Sequence, residues 1–463
     1  MSSTGSEPPH SDLPALFHRL VWAWAASLTA DGMRFAAVPL LAFATDRSPA
    51  AVSAVAAAMA LPWLLVSLPA GAVVDRLDPA RVIAAANVAR ALTSVALVAG
   101  ILAGRVSIPL LCVVGFVLTA AETFADSAAQ SLLVRIVPEE SLERANARFV
   151  SSENVGLDLV GPLLSGALFR WQHWLPFAGS GIIFLVTAGA VLSLTGHRED
   201  GGEPDGVPGG VVARSSFADG FRVIFSDTGL RSLVVTVAVM VAAIAAMEAV
   251  LVVYSATTLH LSEALYPTLL ASYSVGLLAS TAVVGRLARR FSAGSLMLVA
   301  IAGFGGTLVL LGTTAVPVVA WASFALMGAS GGVWNVLSAT RRQRRTPPSM
   351  MARVSSTFRA LTWGALPIGA ALGGVAGEQW GVPAVFVVAG GVVLVLGVLM
   401  SRPLLRPGGQ PEVAPVETAG ATESGTPRSG GTASTAPEPS HLLGRDAVDP
   451  NPGEFDSSVH PAP

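Results

Sequence analysis

Apolar residues along this chain run in blocks about twenty residues long, parted by short polar intervals. Spanning a hydrocarbon core of ~30 Å takes about 20 apolar residues in a helix. Windows of that size predict six helices near 16–43, 51–74, 81–103, 107–134, 146–169 and 174–195. Six more are predicted near 232–256, 265–287, 293–313, 316–340, 354–377 and 382–401. The pattern therefore points to an all-α integral membrane protein with twelve transmembrane helices in two halves, 14–196 and 232–404, joined by a polar central loop, 197–231. Residues 1–13 and 405–463 are rich in Ser, Pro, Gly, Thr and Glu. They are expected to be disordered, with too little to bury to offset the entropy of ordering.

Composition agrees with that pattern. Of 463 residues, 52% are hydrophobic and only 13% charged, against roughly 25% charged in a soluble domain; mean hydropathy is +0.63. Aromatics make up 6%, so the apolar mass is Ala, Val and Leu. All the positive charge is arginine, because the chain holds no lysine. A net charge of −2 gives no case for nucleic acid. The single cysteine, Cys112, excludes an intramolecular disulfide and a cysteine-rich zinc site.

Arginine placement predicts the orientation. With the N-terminus inside, the inner connections hold Arg76, Arg81, Arg135, Arg144, Arg148, Arg286, Arg289, Arg290, Arg341, Arg342, Arg344, Arg345 and Arg353. The opposite side holds Arg47, Arg105 and Arg170. This positive-inside bias predicts a multi-pass membrane protein with both termini cytoplasmic, and heavy use of Ala, Gly, Val and Arg hints at a GC-rich bacterial genome, hence a bacterial cytoplasmic membrane. Trp171, Trp174 and Trp380 fall at outer helix ends, where indole suits the headgroup level.

The halves echo each other weakly. Pro138 to Arg144 precedes a helix carrying Gly161-Pro162, and Pro347 to Arg353 precedes one carrying Leu366-Pro367. Likewise Asp75-Arg76-Leu77 after the second helix matches Gly285-Arg286-Leu287 after the eighth. Repeated halves with a site between them near the midplane are a common transporter plan.

The segment Gly71-Ala-Val-Val-Asp75-Arg76-Leu-Asp78-Pro-Ala-Arg81 resembles the signature loop of the major facilitator superfamily, Gly-x-x-x-Asp-Arg with further basic residues, and lies between the second and third helices as that loop does. The resemblance covers about residues 14–405. It implies the major facilitator fold and a conformational latch of Gly71, Asp75, Arg76 and Arg81, with Asp75 facing the start of the eleventh helix near Val354. Asp78 departs from the family's usual glycine. The stretches Ala121 to Asn146, Val160-Gly161-Pro162 and Arg344 to Val354 resemble the bacterial branch of enterobactin and macrolide exporters.

Ionisable side chains within hydrocarbon cost ~2.5–3.5 kcal/mol each on insertion scales and are functional candidates. Here they are Asp31 and Arg34 in the first helix, Arg90 in the third, and Glu122 and Asp126 in the fourth. Glu153 and Asp158 lie in the fifth, Glu248 in the seventh and Arg359 in the eleventh. Acids outnumber bases, so some are expected to be unpaired and protonated, since a lone buried anion is disfavoured. The six acids are proton-coupling candidates, Glu122 foremost. Asp126, nearer the cytoplasm, is an alternative partner for the latch arginines. Glu153 and Asp158, five apart, are expected to point in different directions, and Glu248, near its helix end, is expected to reach headgroups. Arg34, Arg90 and Arg359 read as counter-charges, with Asp31 pairing to Arg34 or Arg90. Trp63, Phe124, Trp334, Asn335 and Trp363 are candidate linings of a substrate cavity. Gly161-Pro162 and the run from Gly369 to Gly377 permit close helix contact and bending.

Other classes find little support. Without lysine no Walker loop exists, so energy would come from an ion or substrate gradient. The seven histidines are scattered, without metal-ligand spacing, and no nucleophile cluster suggests an enzyme. The run Arg341-Arg-Gln-Arg-Arg345 reads as a topology anchor touching anionic lipid, not nucleic acid. The expectation is a monomeric, cofactor-free, proton-coupled exporter of a drug-like or siderophore-like small molecule, working by alternating access. Alternatives are a lipid or lysophospholipid flippase of the same fold, or a non-transporting receptor or scaffold.

Overall fold

The computed structural model describes residues 15–74, 76–138, 141–193, 212–347 and 350–405, all within one compact unit, Met1–Ala414. Both expected disordered ends and the middle of the central loop lie outside the described residues. The helices of the first half are α1 (Ala15–Thr45), α2 (Pro49–Leu65, continued by Ser67–Val74), α3 (Pro79–Leu102), α4 (Ile108–Ile136), α5 (Leu142–Val155, Gly156–Val160 and Gly161–Trp171) and α6 (Leu175–Leu192). Those of the second are α7 (Thr228–Thr257), α8 (Tyr266–Arg290), α9 (Ala293–Thr313), α10 (Pro317–Arg345), α11 (Met351–Trp363 and Ala365–Trp380) and α12 (Val382–Leu399). Among the described residues nine of these are long and apolar enough to cross a membrane. The other three are α1, α2 and α5; α1 and α5 carry much of the intramembrane charge, and α2 is short.

Local chemistry sets the helix starts. Proline sits in the first turn of α2, α3, α4, α6, α8, α10 and α12, where its missing N–H costs nothing. Asp78 caps α3, its carboxylate accepting the Ala80 N–H at 2.9 Å, and Asp227 caps α7 through Leu230 at 2.7 Å. Asp78 thus supplies the cap that a glycine at this position lacks.

Packing repeats with an offset of six helices. In the first half α1 lies against α5 and α6, α3 against α4 and α6, and α2 against α4. In the second, α7 lies against α11 and α12, α9 against α10 and α12, and α8 against α10. The two most extensive pairings between the halves, α2 with α11 and α5 with α8, exchange under the same offset. The fold is therefore two pseudo-symmetric six-helix halves. Backbones approach closely at matching crossings. A Cβ at Gly161 would lie 2.6 Å from the Thr29 carbonyl oxygen of α1, and one at Gly373 would press on the Ala246 carbonyl oxygen of α7. Only glycine allows such contact.

The central loop is not all loop. Val212–Ser226 forms a linker helix against the first segment of α11. Arg353 donates to Asp219 at 3.1 Å, and Arg345 donates to the capping Asp227 at 2.9 Å. Polar residues hid this helix from an apolar-block reading. We call the membrane side carrying it the linker side, and the opposite side the far side.

Candidate functional site

Two groups of charge sit within the bundle. The first is internal to the first half. Ser27, Asp31 and Arg34 recur on one face of α1, Asn87 and Arg90 on α3, and Thr119 and Glu122 on α4, each set at the three- and four-residue spacing that aligns side chains. All seven are between 0 and 7% exposed. Asp31 bridges both arginines, accepting from Arg34 at 2.9 Å and from Arg90 at 2.5 Å. Arg34 also donates to Glu122 and to the Thr119 hydroxyl at 3.3 Å. Arg90 donates to Ser27 at 3.1 Å and to Asn87. Its guanidinium lies 4.4 Å from the ring centre of Phe184 on α6, a favourable cation–π placement. Two arginines and two carboxylates give a formal charge of zero. A buried charge is tolerated when paired and hydrogen-bonded; every member of this quartet is ion-paired, while Arg90 Nε and the neighbouring Asn87 Nδ2 are buried without a hydrogen-bond partner among the described residues.

Glu122, the foremost proton-coupling candidate, is thus tied to Arg34. Asp126, one turn nearer the linker side, is half-buried, with no hydrogen bond or ion pair among the described residues. The charges within its electrostatic reach are Glu122, Asp31, Arg90 and Glu153.

The second group lies where α5 meets α8 and α7. Regular α-helix is interrupted at Gly156–Val160 by a wider π turn. Pro162 explains it: a proline has no N–H for the carbonyl four residues back, which is Asp158. That carbonyl instead accepts the Ser274 hydroxyl of α8 at 2.9 Å, across the two halves. Neighbouring hydroxyls commonly satisfy such freed groups in membrane helices. The π turn reduces the angular separation of Glu153 and Asp158; Glu153 is exposed and Asp158 half-buried, and the two carboxyls are within electrostatic reach. Glu248, expected at the headgroups, faces inward instead: Asp158, Tyr266 and Tyr273 all lie within its reach. Nine residues of α7 beyond it keep it away from the helix end. Arg359 on α11 is exposed and within reach of Glu153.

The aromatic candidates divide. Trp63 and Trp363 meet across the halves with ring centres 5.1 Å apart. Asn335 is exposed, and Phe124 packs beside the first-half core. Trp334 is 4% exposed and packed in a core cluster that draws on both halves. Of the latch candidates, Gly71 faces open space, Arg76 is exposed, and Arg81 lies 3.9 Å from Asp78. Asp75 is outside the described residues. Asp126 has no latch arginine beside it.

Ser27, Asn87, Thr119, Tyr266, Tyr273 and Ser274 were not singled out from the sequence. One signal was available. The chain has three tyrosines, and two of them, seven residues apart on α8, share a helix face.

The halves join at the far side. Glu378 of α11 accepts the Ala50 N–H of α2 at 3.4 Å, His173 lies 3.7 Å from Glu263, and a Cβ at Gly166 of α5 would lie 2.8 Å from Pro267 of α8. On the linker side, Leu65 and Leu77 beside α2 and Val150 on α5 are more than half exposed.

Twelve helices in two pseudo-symmetric halves, with charge held between them, define a multi-pass membrane transporter. Residues 23–367 match the family model of the Major Facilitator Superfamily, and the chain belongs to that family. It is similar to the uncharacterized MFS-type transporter y4rN of Sinorhizobium fredii (strain NBRC 101917 / NGR234), 28% identical over 414 residues, 82% of this chain and 92% of that one. Solved structures of similar fold include the nucleoside transporter NupG, at TM-score 0.67 and 12% identity over 85% of this chain and 100% of that one. A bacterial homologue of the iron transporter ferroportin, inward-facing, gives TM-score 0.66 and 18% identity over 84% of this chain and 100% of that one. A bacterial homologue of the human lysosomal transporter Spinster, also inward-facing, gives 0.64 and 15% over 87% and 98%.

Proposed function

We propose that this transporter is a proton-coupled exporter of a drug-like or siderophore-like small molecule, acting as a monomer in a bacterial cytoplasmic membrane. The linker side and both termini then face the cytoplasm, the orientation that arginine-rich connections favour. Export rests on the likeness of residues 121–162 and 344–354 to the enterobactin and macrolide exporter branch.

The observation that carries proton coupling is the set of acids without a basic partner: Asp126, Asp158 and Glu248 have no ion pair among the described residues. A carboxyl away from any cation crosses apolar surroundings most cheaply when protonated. Such groups load a proton on one side and release it on the other as the halves rock. The conformation described here, joined at the far side, is the cytoplasm-open state of that cycle. In the opposite state the loop 71–81 would close against the start of α11, with Arg76 and Arg81 as its latch.

The test is compound efflux from cells and from everted vesicles, with and without a protonophore. Efflux that stops when the proton gradient is dissipated supports the reading. Equal flux with and without the gradient, for every compound moved, rejects it. The D126N variant sharpens the result: expected efflux falls at least tenfold while the protein remains folded and monodisperse.

A further inference from the structure

We infer that the seam between α7 and α12, at the linker side, binds one anionic phospholipid, with its phosphate at Arg231 and an acyl chain in the groove beyond. The site lies on the outer face of the second half and does not depend on the transport mechanism, which uses the interior of the bundle.

The shape of the seam is the first ground. Toward the far side it is sealed by Tyr254 of α7 against Phe386 of α12, both fully buried, with ring centres 4.4 Å apart. Toward the linker side the helices part and leave two cavities in line. The larger, of about 360 Å³, lies between Val239 of α7 and Val388, Gly391, Val395 and Leu399 of α12. The smaller, of about 210 Å³, lies between Thr228, Arg231 and Val235 of α7 and Met400 and Pro403 at and beyond the end of α12. Thr228, Arg231, Val235 and Val239 recur at three- and four-residue spacing, so both cavities follow one face of α7. At about 1.5 Å per residue that face runs ~16 Å, against ~15 Å for one leaflet of a ~30 Å hydrocarbon core. The groove is also open in its floor: a Cβ at Gly391 would meet no atom within 4 Å.

Polarity along the seam is the second ground. The larger cavity is lined by apolar residues throughout, whereas Thr228, Arg231 and Ser232 border the smaller one. An arginine at this level can lay its stem along the cavity and hold its guanidinium among headgroups. Arg231 is exposed, and its side chain has no hydrogen bond or ion pair among the described residues. Arg402, between Met400 and Pro403, is exposed and unpaired in the same sense. Asp227, the acid beside Thr228, is already engaged, capping α7 through Leu230 and accepting from Arg345 at 2.9 Å. Arg341 donates to the carbonyls of Pro403 and Leu404 at 2.8 and 2.6 Å, which fixes the short helix Ser401–Leu405 as one wall. No acid lines either cavity.

Two arginines without a fixed counter-charge attract anions of any kind. The groove next to them narrows the choice to an anion that carries a long apolar chain. Soluble phosphate would leave the larger cavity unfilled, and a lipid without net charge would leave the arginines unmatched.

The experiment titrates the purified full chain in detergent with palmitoyl-oleoyl phosphatidylglycerol or phosphatidylethanolamine, and counts bound lipids by native mass spectrometry. The first phosphatidylglycerol is expected to bind about tenfold more tightly than the first phosphatidylethanolamine, the effect of two arginines on one anionic headgroup. R231Q should weaken it about fivefold, and R231Q combined with R402Q further. G391F, which fills the larger cavity, should weaken it several-fold while both arginines remain. R286Q, the same charge change on α8, should bind as the parent does. Should G391F misfold by size-exclusion, V395F takes its place, at a position 60% exposed. Equal affinity for the two lipids, or a loss in R286Q as large as in R231Q, means ordinary annular lipid and overturns the site. Undiminished binding by the groove-filling variant, or displacement of the lipid by glycerol phosphate at equal concentration, overturns it as well, since the headgroup alone would then be bound. A stable lipid-free dimer would place a second copy of the chain on the seam and overturn it too.

Discussion

The two charge clusters of this protein share residue types and differ in arithmetic. The quartet of Asp31, Arg34, Arg90 and Glu122 sums to zero, is almost fully buried, and belongs to α1, α3 and α4 alone. The group of Glu153, Asp158, Glu248 and Arg359 is short of two positive charges and draws on both halves. Balanced, buried charge stiffens one half as a unit. Unbalanced charge at a moving boundary is free to exchange partners. Four ionisable side chains in a membrane therefore carry different meanings according to whether the sum closes.

The largest expected effect comes from unbalancing the quartet. In R34A Glu122 loses its arginine and Asp31 keeps only Arg90, and breaking a buried pair costs about 3–5 kcal/mol. Thermal unfolding in detergent should show failure to fold or a large loss of stability. E248Q, by contrast, is expected to unfold close to the parent temperature while efflux falls at least tenfold. A collapse of both variants, or of neither, would erase the distinction between the clusters.

A smaller effect is expected from P162A. It returns an N–H to the Asp158 carbonyl, so the π turn should revert to α-helix and Ser274 should lose its acceptor. Transport should slow several-fold with little change in substrate affinity, measured as separate rate and half-saturation values. S274A, which removes the donor alone, is expected to destabilise by about 1 kcal/mol. The least effect falls outside both clusters. D78G removes the α3 cap and restores the family's glycine; capping losses to glycine amount to a few tenths of a kcal/mol, so its melting temperature should scarcely move.

Much of this architecture was legible in apolar block length alone. The predicted span 232–256 is realised as Thr228–Thr257 and 293–313 as Ala293–Thr313. Length and hydropathy suffice because the bilayer admits few alternatives to a helix. The linker helix escaped because its residues are mixed, and the five-residue extension of α10 to Arg345 because arginines end an apolar window. There Arg342 stacks over Phe358 at 4.4 Å, a contact no local pattern announces. Candidate ionisable residues could be enumerated from sequence, and so could the pairing of Asp31 with Arg34 or Arg90, but not that of Arg34 with Glu122. Asp31 and Arg34 share a helix, whereas Arg90 and Glu122 reach them only through packing of three helices. Glu122 therefore looked like a free carboxyl beside Asp126, though it is Asp126 that stands alone.

The hydroxyl of Ser274 on the Asp158 carbonyl sets an idling preference. Parting α5 from α8 strands that oxygen at about 1–3 kcal/mol, so the unloaded protein dwells in the present arrangement roughly five-fold to a hundred-fold longer than in its alternative. A vacant carrier biased in this way seldom turns over until cargo arrives to offset the difference.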